Sequence, residues 1–500
     1  MSVVNRTMYP VQSSMDLISK MQKQFTSLQT QLSTGQKAAN LAELGSDRYF
    51  DLSIRSRVNR LDGYATNIKM VNSRLDMFDQ LTTRLATIQQ GARGLITPNN
   101  YGSQDIILGA VPVQGASNLD EVINLLNSDI NGRFLFGGSV TDKRPVADLD
   151  SMIYGQAGKA GFKQVASERQ QADIGDGLGR LTLGGAGANV SVTEDGSHPF
   201  GFKLSTVTAS SAAITLTTPS GTPPQTTNVQ FTTLPIAGDS VTFGFTLPDG
   251  TSDGITLKAV NGPPDVGEFQ IGADPTATAT NLKVALQTSL QTHAKTTLTA
   301  ASNNAAAANF FNGHAQSQMR VQPSPDFAHA TTLVAADPST TVAWYTGGDS
   351  ATPRSSIQAR VDDAQTVNYG AQANESGTLG MVRALSVLAI QTFDVSDPTT
   401  KGRFDAIASR NVQSFSTANN ANQGSIEMLG IELNNAKVQV GDITSRHSDY
   451  NTQLQGLLAG IEKSSDEEVA VEITALQTRL QATYQTTALI SQLSLVNYIK

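Results

Sequence analysis

Both ends of the chain carry apolar side chains at alternating three- and four-residue steps, the spacing that lines one side of a helix. Near the start these are Ile18, Met21, Phe25, Leu28 and Leu32, and near the end Val469, Ile473, Leu476 and Leu480. A narrow stripe of this kind is a seam. It suits a neighbouring helix and leaves a lone helix with apolar surface in water. Both ends therefore require a helical partner, and between them lies a middle of different character.

The first arm predicts a helix starting after Pro10, with Ser13 and Ser14 as candidate caps and Gly35 as its stop. A second helix begins near Phe50 and carries Ile54, Val58, Leu61, Ile68, Val71, Leu75, Phe78, Leu85, Ile88 and Leu95 to a stop at Thr97-Pro98. At about 1.5 Å of rise per residue it is on the order of 70 Å long, which makes it a rod segment. A third helix, from about Gln104 to Ile130, is expected to break at Gly109, Pro112 and Gly115. It resumes with Ser117 as cap over Leu119, Val122, Ile123, Leu126 and Ile130. The octet Asn131-Gly132-Arg133-Phe134-Leu135-Phe136-Gly137-Gly138 then reads as helix stop, short apolar strand and turn.

From Ser139 to Asp349 the chain turns to Thr, Ser, Ala and Gly with alternating apolar residues. Val241, Phe243, Phe245 and Leu247 run into Pro248-Asp249-Gly250, and Ile255, Leu257 and Ala259 follow, the pattern of an antiparallel hairpin. Leu282, Val284, Leu286 and Leu290 indicate one short helix. The run Trp344 to Asp349 marks the return, and Ile357 to Tyr369 forms a second hairpin turning at Asp362-Asp363. Beyond it the pattern is helical over Leu379 to Phe393, Phe404 to Ile461 with irregularities, and Ser465 to about Tyr498. The fold class is α+β: an elongated chain whose long terminal helices form a coiled-coil rod, with an inserted, mostly β variable domain. The expected divisions are an N-terminal arm (1–45), rod segments (46–138 and 350–462), the insertion (139–349) and a C-terminal arm (463–500).

Charged residues make up 16% of the chain, against roughly 25% in ordinary globular proteins. The 39% of hydrophobic residues and the clustering of 42 glycines in turn-like segments nevertheless indicate a folded protein. A formal net charge of -8 without a basic run argues against nucleic acid, whose binding needs a concentrated basic face. The absence of cysteine excludes disulfides, thiolate metal sites and cysteine nucleophiles together. The first thirty residues hold no continuous apolar segment that could act as a cleaved secretory signal. Nor could any stretch of about 18 apolar residues span a bilayer, so no membrane partner is expected.

No constellation of residues in the sequence points to catalysis. His198, His293, His314, His329 and His447 lie far apart without metal-ligand spacing and read as surface or loop residues. Asp362-Asp363 falls in a turn, and Asp466-Glu467-Glu468 opens a helix, where the dipole favours negative charge. Gly175, Gly177 and Gly179, then Gly184, Gly185 and Gly187, lack the strand-to-helix context of a phosphate loop. No catalytic, cofactor-binding or metal-ligating residue is assigned, and the chain reads as non-enzymatic.

The N-terminal run with Leu28, Leu32, Ser33, Thr34 and Gly35, the octet Asn131 to Gly138 and the closing Leu493-Ser494-Leu495-Val496-Asn497-Tyr498 resemble the bacterial flagellin superfamily. Within it they are most similar to its hook-filament junction proteins, the hook-associated protein 3 group. The helical ends carry this resemblance and the middle matches only loosely. Filament flagellins follow Leu-Ser-Thr-Gly with an Asp-Asp-Ala-Ala-Gly-like segment, where this chain has Leu44-Gly45-Ser46-Asp47-Arg48-Tyr49-Phe50. Junction proteins are often shorter than this chain, so a filament flagellin with a large outer domain stands as the alternative.

The resemblance implies a structural, non-catalytic subunit of the flagellum, outside the cell, exported without a cleaved signal peptide. Its terminal helices would pair in the inner coiled-coil layer of a hollow helical tube, through heterologous contacts that do not close on themselves. The interface residues would be Ile18, Met21, Phe25, Leu28, Leu32, Val469, Ile473, Leu476, Leu480, Leu493 and Leu495, with Asn131, Gly132, Arg133, Phe134, Leu135, Phe136 and Gly137 as the rod motif. Implied partners are copies of itself, another hook-associated protein, filament flagellin, and an export chaperone on the C-terminal helices around Ala475 to Leu495. An isolated arm must meet its ordering entropy alone, so the arms are expected to be only partly ordered in the free monomer.

Overall fold

The computed structural model describes residues 9–99, 107–415 and 424–496. Helices α1 (Tyr9–Thr34), α2 (Arg48–Leu95) and α3 (Val111–Leu126) lead to a two-stranded hairpin, β1 (Asp129–Ile130) with β2 (Arg133–Phe134). The middle opens with α4 (Leu149–Tyr154) and α5 (Phe162–Ile174). Strands β3 (Leu181–Gly184), β4 (Asn189–Glu194), β5 (Lys203–Ala209), β6 (Ile214–Thr217), β7 (Thr226–Phe231), β8 (Ser240–Thr246), β9 (Ser252–Val260) and β10 (Glu268–Gln270) follow. Then come α6 (Pro275–His293), α7 (Thr299–Phe310), β11 (Met319–Gln322) and β12 (Thr332–Ala335). The chain returns through β13 (Gln358–Arg360) and β14 (Thr366–Asn368) to α8 (Ser376–Ala389), α9 (Thr400–Asn411), α10 (Ile426–Glu462) and α11 (Asp466–Val496). This is an α+β fold with long helices at both ends and a sheet-rich middle.

The chain divides into two compact units. One gathers Met1–Val71, Ala359–Thr366 and Val438–Lys500; the other holds Asn72–Gln358 and Val367–Lys437.

In the first unit, α1 stops where expected. Gly35 takes a φ of 68°, open to glycine at no steric cost, and its N–H closes on Gln31 O at 2.7 Å. The start differs: the helix is already formed at Tyr9, so Ser13 and Ser14 lie inside it and are not caps. The helix α2, whose residues are divided between the two units at Val71 and Asn72, is continuous over 48 residues, as its stripe predicts.

In the second unit, α3 corrects the expected break. Pro112 sits in the first turn, where its missing N–H leaves no bond unmade, and the helix runs on through Gly115 and Ser117. Gly115 is there for contact: a Cβ would stand 2.9 Å from the Leu388 Cβ, so its bare backbone lets α3 and α8 approach closely. Gln104 lies outside the described residues. The helix ends at Leu126, and Asn131-Gly132 is a hairpin turn, not a helix stop. Both residues have positive φ, 54° and 74°, the mirror-image turn that matches strand twist.

The middle builds two four-stranded sheets, in the orders β10-β9-β8-β5 and β3-β4-β7-β6. The expected hairpin is β8 against β9, with Val241 opposite Leu257 and Phe243 opposite Ile255. The short helix of the sequence reading is instead the 19-residue α6, prolonged through a wide turn at Ala294–Leu298 into α7. Its Leu282, Leu286 and Leu290 are buried against both sheets, together with Phe231, Phe243, Phe245 and Phe269, while Val284 points outward. Three apolar residues at four-residue steps are enough to seat the helix, so the polar remainder of its surface did not announce its length.

Candidate assembly surface

The two terminal stripes meet within the first unit. At one end Lys37 N donates to Glu462 O at 2.6 Å and Ser464 N to Gly35 O at 3.1 Å; farther along, Gln22 Nε2 donates to Tyr484 Oη at 2.8 Å. Residue numbers fall along α1 as they rise along α11, so the pair is antiparallel. Met21, Val469 and Leu476 are buried at 7%, 5% and 7% exposure, and Ile18, Phe25, Leu28, Ile473 and Leu480 are half-buried. Leu32 stays open at 44%. The side chains of Leu493 and Leu495 lie outside the described residues.

Pairing α1 with α11 leaves much apolar surface bare. Met15 and Leu17 on α1, and Val471 and Leu489 on α11, are each more than half exposed. A two-helix seam has only one covered side, and such residues find burial only against further helices. Near the start of α2, Tyr49 and Phe50 stack edge-on at 5.9 Å and are also exposed.

Polar contacts brace this unit at two places that sequence reading missed. Asp51, fully buried, accepts from Arg55 Nε at 3.1 Å, and Arg55 also pairs with Glu462. Burial, and then the neighbouring Asp51, push the Glu462 carboxyl above the ordinary glutamate range against the pull of Arg55. The tip of the β13–β14 hairpin is the second brace. Asp363 accepts from Tyr64 Oη at 2.9 Å, and Asp362 stands 3.3 Å from His447 Nε2 and 3.5 Å from Arg446 Nη2. Burial raises the Asp362 carboxyl, but the Asp363 N–H, His447 and Arg446 outweigh it and hold the group below its usual value. Asp51 and Arg55 are four apart, so their pairing was legible on α2, whereas the hairpin tip reaches residues far away in the chain, Asp363 and Tyr64 lying 299 positions apart.

The octet belongs to the second unit. Phe136 is fully buried and meets Phe78 edge-on at 5.4 Å, and Leu135 is buried beside it, whereas Arg133 is exposed and donates to Thr141 Oγ1 at 3.3 Å. Its end is stitched to the returning chain. Gly138 N donates to Ala371 O at 2.9 Å, Ala373 N to Phe136 O at 3.0 Å and Gly348 N to Gly137 O at 2.8 Å. Gly138, at a φ of 57°, leaves no room for a side chain, because a Cβ would fall 2.6 Å from Gly348 O. The run Trp344 to Asp349 serves the same junction: Trp344 is fully buried, its Nε1 donating to Asn312 Oδ1 at 3.0 Å, and Tyr345 pairs with Val146. Thus Phe134 to Gly138 line the doorway where the insertion leaves and rejoins the helices.

Two histidines depart from the surface reading. His198 is buried, with Nε2 at 2.7 Å from Asp195 and 2.8 Å from Arg180, and His447 is buried beside Asp362. Their environments are structural ion-pair networks. Among the described residues no group of three or more His, Asp and Glu side chains could hold a metal ion, and no helix is long and apolar enough to cross a membrane. The acidic triplet Asp466-Glu467-Glu468 fills the first turn of α11, as expected.

Residues 6–141 match the family described as the bacterial flagellin N-terminal helical region. This segment contains α1, α2, α3 and the octet. A comparison of the whole sequence with curated proteins finds no match.

Proposed function

We propose that the chain is a structural subunit of the bacterial flagellum, specifically a junction subunit joining the hook to the filament; the match of residues 6–141 to the bacterial flagellin N-terminal helical region supports this reading. In this reading α1 and α11 enter a helical tube whose neighbouring copies cover the faces that the pair leaves bare. The observation that carries it is the one-sided burial of the arms: Met21 and Leu476 are covered within the chain while Met15 and Val471 face outward. Heterologous repetition of such contacts extends a tube indefinitely, and a junction subunit would present different neighbours at its two ends. The segment Leu44 to Phe50 and the octet favour the junction over the filament role.

A deletion strain distinguishes the two roles. Loss of a junction subunit releases filament protein into the medium from cells that retain hooks, whereas loss of one filament flagellin leaves a hook with its junction in place. Electron microscopy of purified protein mixed with hook fragments gives the direct view: decoration of hook ends is expected, and hook ends left bare at high protein concentration count against the proposal. The partners in this reading are further copies, a second hook-associated protein, filament flagellin, and an export chaperone that masks the apolar residues of α11 before assembly. Export would proceed without a cleaved signal peptide, to the extracellular flagellum. Removing the residues after Ala475 should abolish chaperone binding and export together; unchanged export would rule out that role for the segment.

A further inference from the structure

We propose that Arg57, Arg60 and Arg446 form a seat for the acidic first turn of α11, Asp466-Glu467-Glu468, of a second copy of this chain. The proposal rests on the reading that the chain self-assembles, and it names one of the contacts by which it would do so. Within the first unit, Arg57, Arg60 and Tyr64 follow at three- and four-residue steps on α2, and Arg446 and Tyr450 lie four apart on α10, so each set shares a helix face. Together with the hairpin tip they line a hollow of about 510 Å³.

The charges in it do not cancel. Asp363 takes up Arg60 at 3.4 Å and Asp362 takes up Arg446 at 3.5 Å, which leaves Arg57 without a carboxylate among the described residues. Arg57 Nη1 donates to Tyr450 Oη at 2.8 Å, so the tyrosine proton and the remaining guanidinium N–H groups are available to an incoming acceptor. Three guanidiniums thus face two carboxylates on a chain whose net charge is -8.

The complement is on the same chain. Asp466, Glu467, Glu468 and, one turn on, Glu472 are all exposed and hold no ion pair among the described residues. Glu468 and Glu472, four apart on one face, repel one another, and the helix N-terminus offsets only part of that cost. Carboxylates in this state bind guanidiniums of a neighbour readily, and the pairing of unlike surfaces on successive copies is the heterologous kind that propagates.

The chain has no cysteine, so single cysteines report contacts cleanly. Arg57→Cys and Glu467→Cys proteins, purified separately, are mixed, assembled and treated with a mild thiol oxidant. The disulfide-linked heterodimer should exceed several-fold that formed between Arg57→Cys and an Asp16→Cys control. Charge reversal gives a second readout that does not depend on cross-linking. Arg57→Glu or Glu467→Arg alone should raise the critical concentration for assembly roughly tenfold, the scale of a lost charge-assisted contact, and both changes in one chain should restore it. Polymer that forms with no excess heterodimer and no restoration overturns the seat while leaving self-assembly standing. Failure of the unmodified chain to polymerise under any condition, alone or on hook fragments, overturns both.

Discussion

The pairing of α1 with α11 makes Leu476→Ala the most informative substitution. Leu476 is 7% exposed, and Met21 and Val469 are the other buried apolar residues of the seam among the described residues. Truncation to alanine removes three carbons, worth about 0.8 kcal/mol each when taken from water, and the open sides of a two-helix seam let it close up without a cavity. The expected loss is about 2 kcal/mol, roughly a thirtyfold change in the opening equilibrium by the relation of 1.4 kcal/mol per tenfold. A seam held by so few buried side chains is marginal, so in the free chain the arms should exchange amide hydrogens faster than α3.

Hydrogen exchange followed by mass spectrometry on the monomer tests both points. Peptides within α1 and α11 should lose protection together, each by about the same thirtyfold factor, while peptides of α3 and α8 keep theirs. Loss confined to α11 would refute the reasoning, since it would mean that α1 is ordered without its partner. Protection of residues 13–32 as strong as that of α3 in the unmodified monomer would likewise sink the claim that the arms depend on neighbours for order.

Two further outcomes follow from the second unit. Gly115→Val should destabilise it by about 2–3 kcal/mol, because the added carbons meet Leu388 Cβ and the backbone of Ala389 in a closely packed crossing; an unchanged thermal midpoint would contradict this. Acid should weaken the sheet-rich middle through Asp253. Burial raises that carboxyl, but His293 at 2.8 Å and Thr297 at 2.6 Å outweigh it and hold it below the ordinary aspartate value. The stability it contributes is therefore present above the ordinary aspartate value and lost as pH falls through the lower folded one. Asp253→Asn should flatten the acid limb of a stability-against-pH curve, and a parallel curve for the two proteins would show that the carboxylate carries no such linkage.

What the residues determined alone was local and periodic. The stripes of α1, α2 and α11, the stop at Gly35, the β8–β9 hairpin and the acidic start of α11 all follow from side-chain spacing or from one residue's backbone freedom. The family resemblance lay in those same helical ends. Tertiary structure decided who covers each face. A stripe states that a helix must be buried but not by what, and α1 finds its cover in α11, with Gln22 and Tyr484 bonded across 462 positions of chain. The same limit explains α3, where Pro112 and Gly115 look like breaks until the packed backbone of α8 gives Gly115 its purpose. It explains the hairpin tip too, since Asp362 and Asp363 are ordinary turn residues until α2 and α10 bring Tyr64, Arg446 and His447 to them. Periodicity is a property of one segment, whereas burial is a property of two, and only the folded chain contains both.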